Sequence, residues 1–265
     1  MRAIGRKFED LKRQGKKAFI PFITAGDPDL ETTIEIILAL EEAGSHIVEL
    51  GIPFSDPLAD GPAIQRSSER ALRHHYRMTD YLEAVCRVRR RTDVPLMIFS
   101  YFNPLLQYGL DRIANDARAA GVDGILVTDM TPEEAQEYCA TMEAHDLDPI
   151  FLAAPTSGPE RLRRIAELSR GFLYLVSRAG VTGARDDLSQ SIRPTLDRIR
   201  QQTDLPVAVG FGISRPEQVR AVWQIAEGAV VGSAIVQQIE KHQNQSGLPP
   251  RIGEFCRWLT EGANG

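Results

Sequence analysis

The chain has 265 residues, 43% of them hydrophobic and 25% charged, and a formal net charge of −5. This balance supports a sizeable core, and the lack of any strongly basic run interleaved with aromatics argues against nucleic acid as a partner. No apolar run approaches the roughly 18 residues a bilayer-spanning helix needs. Met1–Lys7 has no apolar stretch behind it of the kind a signal peptide carries, and the three widely spaced cysteines, Cys86, Cys139 and Cys256, fit reduced thiols in the cytoplasm.

In chain order, a helix at Phe8–Arg13 precedes the first strand and is placed to plug one end of a barrel. Strands are expected at Ala18–Ile23, His46–Leu50, Leu96–Ser100, Gly124–Val127, Pro149–Leu152, Phe172–Val176, Val207–Gly210 and Ala229–Val231. Between them run amphipathic stretches, at Leu30–Ala43, Ile113–Ala120, Pro132–His145, Glu160–Ser169, Ile192–Gln202 and Pro216–Ala226. Gly44, Gly121 and Gly228 stand where helices should stop. Alternating strand and helix predicts parallel βα units, and eight of them over residues 1–265 predict a single (β/α)8 TIM-barrel domain. An open doubly wound sheet is the alternative, weakened by Thr24-Ala25-Gly26-Asp27-Pro28 standing where a GxGxxG turn would follow the first strand. The intervals from Leu50 to Ser100 and from Val176 to Val209 exceed the others, which predicts long loops after strands two and six. In a barrel such loops build the active site.

The first long interval opens with Glu49-Leu50-Gly51-Ile52-Pro53-Phe54-Ser55-Asp56-Pro57-Leu58-Ala59-Asp60-Gly61-Pro62. A carboxylate at the end of a buried strand costs several kcal/mol unless it is used or neutralised, so Glu49 is an acid–base candidate. Its alternative is a buried ion pair. Asp56 and Asp60 either serve the site or cap turns beside Pro57 and Gly61. Asp129 either joins them or caps a helix near Pro132, and Tyr174 is either a site hydroxyl or core packing. Phe22, Ile64 and Phe99 are core positions unless they sit at the mouth, where they would sandwich a flat apolar substrate.

Three glycine clusters follow the last three strands: Gly180-Val181-Thr182-Gly183, Gly210-Phe211-Gly212 and Gly232-Ser233-Ala234. Each alone needs only a turn to explain it. In this order they make a phosphate cradle of free backbone N–H groups and a helix N-terminus. The lysines are confined to Lys7, Lys12, Lys16, Lys17 and Lys241, so strands two to eight offer no Schiff-base amine. His46, His74, His75, His145 and His242 fall at no strand end, and no metal constellation is apparent. Carbon–carbon bond chemistry here would rest on carboxylates, a phosphate grip and the substrate's own electron sink.

On these residues, and on Pro21–Pro28, Ser177–Gly183, Gly210–Ser214 and Gly232–Val236, the chain closely resembles the tryptophan synthase α subunit family over nearly its whole length. The resemblance implies cleavage of indole-3-glycerol phosphate to indole and glyceraldehyde 3-phosphate. Glu49 would be the general acid–base. Asp60 would accept a hydrogen bond from the indole N–H, and Tyr174 would help position the substrate. Phe22, Ile64, Phe99 and Tyr101 would contact the substrate. Gly183, Gly212, Gly232 and Ser233 would hold the phosphate beside Phe211, and Thr182 would close toward Asp60. It further implies an α2β2 assembly in the cytoplasm, in which the β subunit carries pyridoxal phosphate and receives indole, so that this chain needs no cofactor. Two positions depart from the family. Asp129-Met130-Thr131 stands for Asp-Leu-Pro, and Tyr76-Arg77-Met78 stands where glycine is common. Other readings are a stand-alone lyase, an idle activator of the β subunit, and a phosphosugar isomerase on the same fold.

Overall fold

The computed structural model describes residues 1–176, 185–210 and 212–264, without the side chains of 185–191 and 264. Its elements are α1 (Ala3–Arg13), β1 (Ala18–Thr24), α2 (Leu30–Glu42), β2 (Val48–Gly51), α3 (Pro62–Leu72), α4 (Met78–Arg89), β3 (Leu96–Ser100), α5 (Phe102–Tyr108), α6 (Leu110–Ala120) and β4 (Gly124–Val127). They continue with α7 (Gln136–Ala144), β5 (Asp148–Ile150), β6 (Leu152–Ala153), α8 (Pro159–Leu168), β7 (Leu173–Val176), α9 (Arg185–Arg200), β8 (Val207–Gly210), α10 (Pro216–Trp223), β9 (Gly228–Val231), α11 (Ser233–His242) and α12 (Leu248–Asn264). No described helix is long and apolar enough to cross a membrane.

All strand pairings are parallel, in the order β5-β4-β3-β2-β1-β9-β8-β7-β6. Only Phe151 separates β5 from β6, which act as one strand whose halves pair with β4 and β7. The sheet therefore closes on itself, the (β/α)8 architecture that the alternation predicts.

Side chains alternate across each strand, and the barrel separates two apolar sets. Inward-facing Ala18, Ile20, Ile47, Met97, Leu126, Ile150, Phe172, Ala208 and Val230 fill the interior. Outward-facing residues such as Phe19, Ile23, Leu50, Ile98 and Val209 pack under the helices. Ile4, Phe8 and Leu11 of α1 join the interior set, and Phe8 lies 5.5 Å from the Phe172 ring, so α1 plugs the N-terminal end of the barrel.

Several sequence expectations need correction. The interval after β2 is loop only to Gly61; α3 and α4 occupy most of the remainder. Pro62 at the first helical position preorganises the start of α3. The loop after the sixth strand falls on residues 177–184, outside the described residues, but Arg185, Asp186 and Asp187 belong to α9. Helix α7 starts at Gln136 rather than Pro132, because residues 132–134 form a turn. Gly44 and Gly121 do follow helices at positive φ, whereas Gly228 opens β9.

His46 lies just ahead of β2 on the plugged side. Its Nδ1 accepts the Phe19 N–H at 3.0 Å. Burial, then the charges of Lys7 and Lys16, push its pKa from 6.5 down to about 4. Between those values the unfolded chain binds a proton that the folded chain refuses, so this contribution is complete above pH 6.5 and fades as pH falls toward 4. His46→Gln keeps an acceptor for Phe19 without the titration. The stability advantage of wild type over this variant is expected to shrink from pH 7 to pH 4 in urea melts; parallel profiles would contradict the assignment.

Candidate active site

Strand parity places Glu49 inside the barrel. It pairs in register with Phe22 on one side and Met97 on the other, is fully buried, and neither carboxyl oxygen has a hydrogen-bond partner among the described residues. Burial raises its pKa well above the ordinary carboxylate value, favouring the neutral form. Among the described residues no cation pairs with Glu49.

Two glycines make room around it. Gly51 and Phe99 are register partners, and a Cβ on Gly51 would fall 2.5 Å from Phe22. The Phe22 and Phe99 rings therefore meet edge to face at 5.3 Å over the strand end. A Cβ on Gly210 would fall 2.5 Å from the Tyr174 hydroxyl, so β8 leaves the space that this phenol fills. Tyr174 is buried, and its pKa is raised first by burial and then by the proximity of the carboxyl groups of Glu49 and Asp60. The three groups thus lie close enough to interact electrostatically.

Asp60 enters from the loop before α3. The Gln65 amide donates to the Asp60 carbonyl at 2.9 Å, and the Ala59 N–H donates to the Tyr101 hydroxyl at 2.9 Å. Tyr101 stacks on Phe54 with centroids 5.1 Å apart. Burial lifts the Asp60 pKa to about 6 against the opposing pull of the Tyr101 hydroxyl. Tyr101, pressed by burial and by Asp60, rises to about 12. Both carboxyl groups are shifted upward by burial, Glu49 well above the ordinary carboxylate value and Asp60 to about 6. That pairing supplies an acid and an anionic acceptor together.

Ile64 sits half-buried in the first turn of α3. Gly232 caps α11 beside Phe22, and a Cβ there would lie 3.4 Å from that ring. The first intrahelical bond of α11 runs from Val236 N–H to the Gly232 carbonyl, so the N–H groups of Ser233, Ala234 and Ile235 have no carbonyl within the helix. With the helix dipole they suit an anion. Gly212 is exposed at the turn after β8. Thr182, Gly183 and Phe211 lie outside the described residues. Asp56 is exposed and takes the Ser55 hydroxyl at 2.6 Å, a turn role. Asp129 accepts the Phe102 N–H at 2.8 Å, so it caps α5 rather than a helix near Pro132. Sequence reasoning missed Gln65 and the anchoring of the loop by Tyr101. Both contacts join residues whose meeting depends on how the loop folds back.

Comparison with known proteins gives a consistent result. A family model described as tryptophan synthase alpha chain matches residues 8–257. A tryptophan synthase alpha chain from Solibacter usitatus is 49% identical, over 99% of this chain and 98% of its own. One from Geobacter sulfurreducens is 51% identical over 91% of each. The solved tryptophan synthase subunit alpha of Legionella pneumophila superposes with a TM-score of 0.92 at 36% identity, covering 100% of this chain and 99% of that one. A tryptophan synthase structure from M. tuberculosis gives 0.88 at 37% identity, over 98% and 97%. By this match over nearly its whole length, and with a closed barrel holding a buried glutamate, the chain belongs to the tryptophan synthase alpha chain family.

Proposed function

We propose that this chain cleaves indole-3-glycerol phosphate to indole and glyceraldehyde 3-phosphate, with Glu49 as the acid–base and Asp60 as the anion at the indole nitrogen. The observation that carries this reading is the fully buried Glu49, without a hydrogen-bond partner among the described residues, beside the Phe22–Phe99 pair. Glu49 donates its proton to indole C3. The ring becomes an indoleninium cation, and its N–H donates to ionised Asp60. The Glu49 carboxylate then takes the proton from the hydroxyl on the adjacent side-chain carbon. The carbon–carbon bond breaks, and its electron pair returns to the ring. Indole and an aldehyde are released, and Glu49 is again protonated. The substrate supplies its own electron sink, in keeping with the lack of a lysine between Lys17 and Lys241.

Phe22, Ile64, Phe99 and Tyr101 bind the indole end in this reading, and Tyr174 orients the glycerol chain. Gly183, Gly212, Gly232 and Ser233 hold the phosphate beside Phe211, and Thr182 closes toward Asp60. The partner is a β subunit carrying pyridoxal phosphate, in an α2β2 assembly. Its docking face includes Leu58, 91% exposed in the loop before α3, and Leu106, 53% exposed on α5. The unpaired thiols of Cys86, Cys139 and Cys256 are consistent with the cytoplasm.

Glu49→Gln is expected to abolish indole release while leaving the unfolding midpoint within a few degrees. Tyr174→Phe should retain most of kcat; equal losses in both variants would mean the proton transfers are misassigned. Because Asp60 must be ionised, kcat/KM should rise with pH through about 6. Asp60→Asn should lower it roughly a hundredfold or more and erase that limb. An unchanged limb in the variant would exclude Asp60 as its source. Addition of the β subunit should accelerate indole formation in a coupled assay, whereas an unaltered rate would favour a stand-alone lyase.

A further inference from the structure

A charged network outside the mouth ties together three elements that each end at the site. Arg66 and Arg70 stand four residues apart on α3 and so share a face. All three guanidinium nitrogens of Arg70 are engaged. Nε and Nη2 donate to Asp27 at 2.8 and 2.7 Å, and Nη1 donates to Glu240 at 2.9 Å. Arg66 closes the circuit, with Nε and Nη2 on the two oxygens of Glu240 at 2.7 and 2.8 Å. The Asp27 side chain is fully buried and that of Arg70 is 12% exposed.

Each member lies on an element with a functional end. Asp27 is in the turn after β1, which carries Phe22. Helix α3 follows directly on Asp60, whose carbonyl is held by Gln65. Glu240 lies two turns along α11 from Ser233, whose end faces the anion site. Partly buried ion pairs are weak contributors to stability, because desolvation offsets attraction, but they fix geometry well. The bidentate Arg70–Asp27 pair suits that role.

We propose that Arg70 and Glu240 are positioning residues that set the span between Asp60 and the N-terminus of α11, and thereby select a ligand whose indole and phosphate ends are the matching distance apart. This inference rests on the functional reading above. A ligand that grips two sites gains from the second contact only when its length matches their separation, and a misplacement of about 1 Å can cost two orders of magnitude. The separate ends bind without that constraint. Loss of the network should therefore weaken the joined ligand more than either part.

The test is calorimetric titration of wild type and Glu240→Gln with indole, inorganic phosphate and an uncleavable indole-propyl phosphate. Glu240→Gln leaves the buried Asp27–Arg70 pair intact, so the fold is retained. Affinities for indole and phosphate alone should stay within about twofold, while indole-propyl phosphate weakens at least about tenfold. Arg70→Lys, which keeps the charge but loses the fork, should give the same split. The proposal is overturned if the joined ligand weakens no more than phosphate does. A wild-type chain that binds indole-propyl phosphate no better than phosphate would instead overturn the functional reading.

Discussion

The site depends on a carboxyl group placed where nothing neutralises it. Glu49 is walled in by the interior of a closed parallel barrel, with no cation and no hydrogen-bond donor on either oxygen among the described residues. In such surroundings the charged form is heavily penalised, so the group holds its proton at a pH where an ordinary glutamate has lost it. In the proposed reaction that penalty has a use, because an acid in its neutral form has a proton to give. The rest of the barrel must supply enough stability to tolerate it, and the continuous apolar sets on both faces of the sheet do so.

The same parity that buries Glu49 also divides the barrel along its axis. Toward the N-terminal end, inward positions carry Ala18, Ile47, Phe172 and Ala208, closed off by Ile4 and Phe8 of α1. Toward the C-terminal end they carry Phe22, Glu49, Gly51, Phe99, Tyr174 and Gly210. Small residues alternate with rings there, and the rings occupy what the glycines vacate. Packing and chemistry thus share one alternating pattern, and the plug keeps the far end of the barrel filled while the mouth stays available.

Asp60 shows the opposite strategy. Its loop is pinned at the Ala59 N–H by Tyr101 and at the Asp60 carbonyl by Gln65, and the carboxylate is only moderately desolvated. Its charge therefore survives at neutral pH. One acid is tuned by isolation and the other by partial exposure. The Asp27–Arg70–Glu240–Arg66 network holds the helix behind Asp60 against the helix that ends at the anion site.

Strand positions, the parallel βα order, the plugging helix and the carboxylate at the end of the second strand were legible in the sequence, because alternation, strand length and turn residues act over a few neighbouring residues. Local signals also misled. The long interval after β2 contained no pattern that separated loop from helix without knowing what α3 packs on, and Asp129 gave no sign that it caps α5 rather than α7. Helix α7 began four residues late because residues 132–134 turn instead of entering the helix. The sequence by itself determined which residues are available for chemistry and in what order they arrive at the mouth. Folding is what raises the Glu49 pKa well above the ordinary value and that of Asp60 to about 6, and what brings Arg70 to Asp27 and Glu240. Those properties depend on burial and on contacts between residues far apart in the chain, which exist only once the barrel has closed.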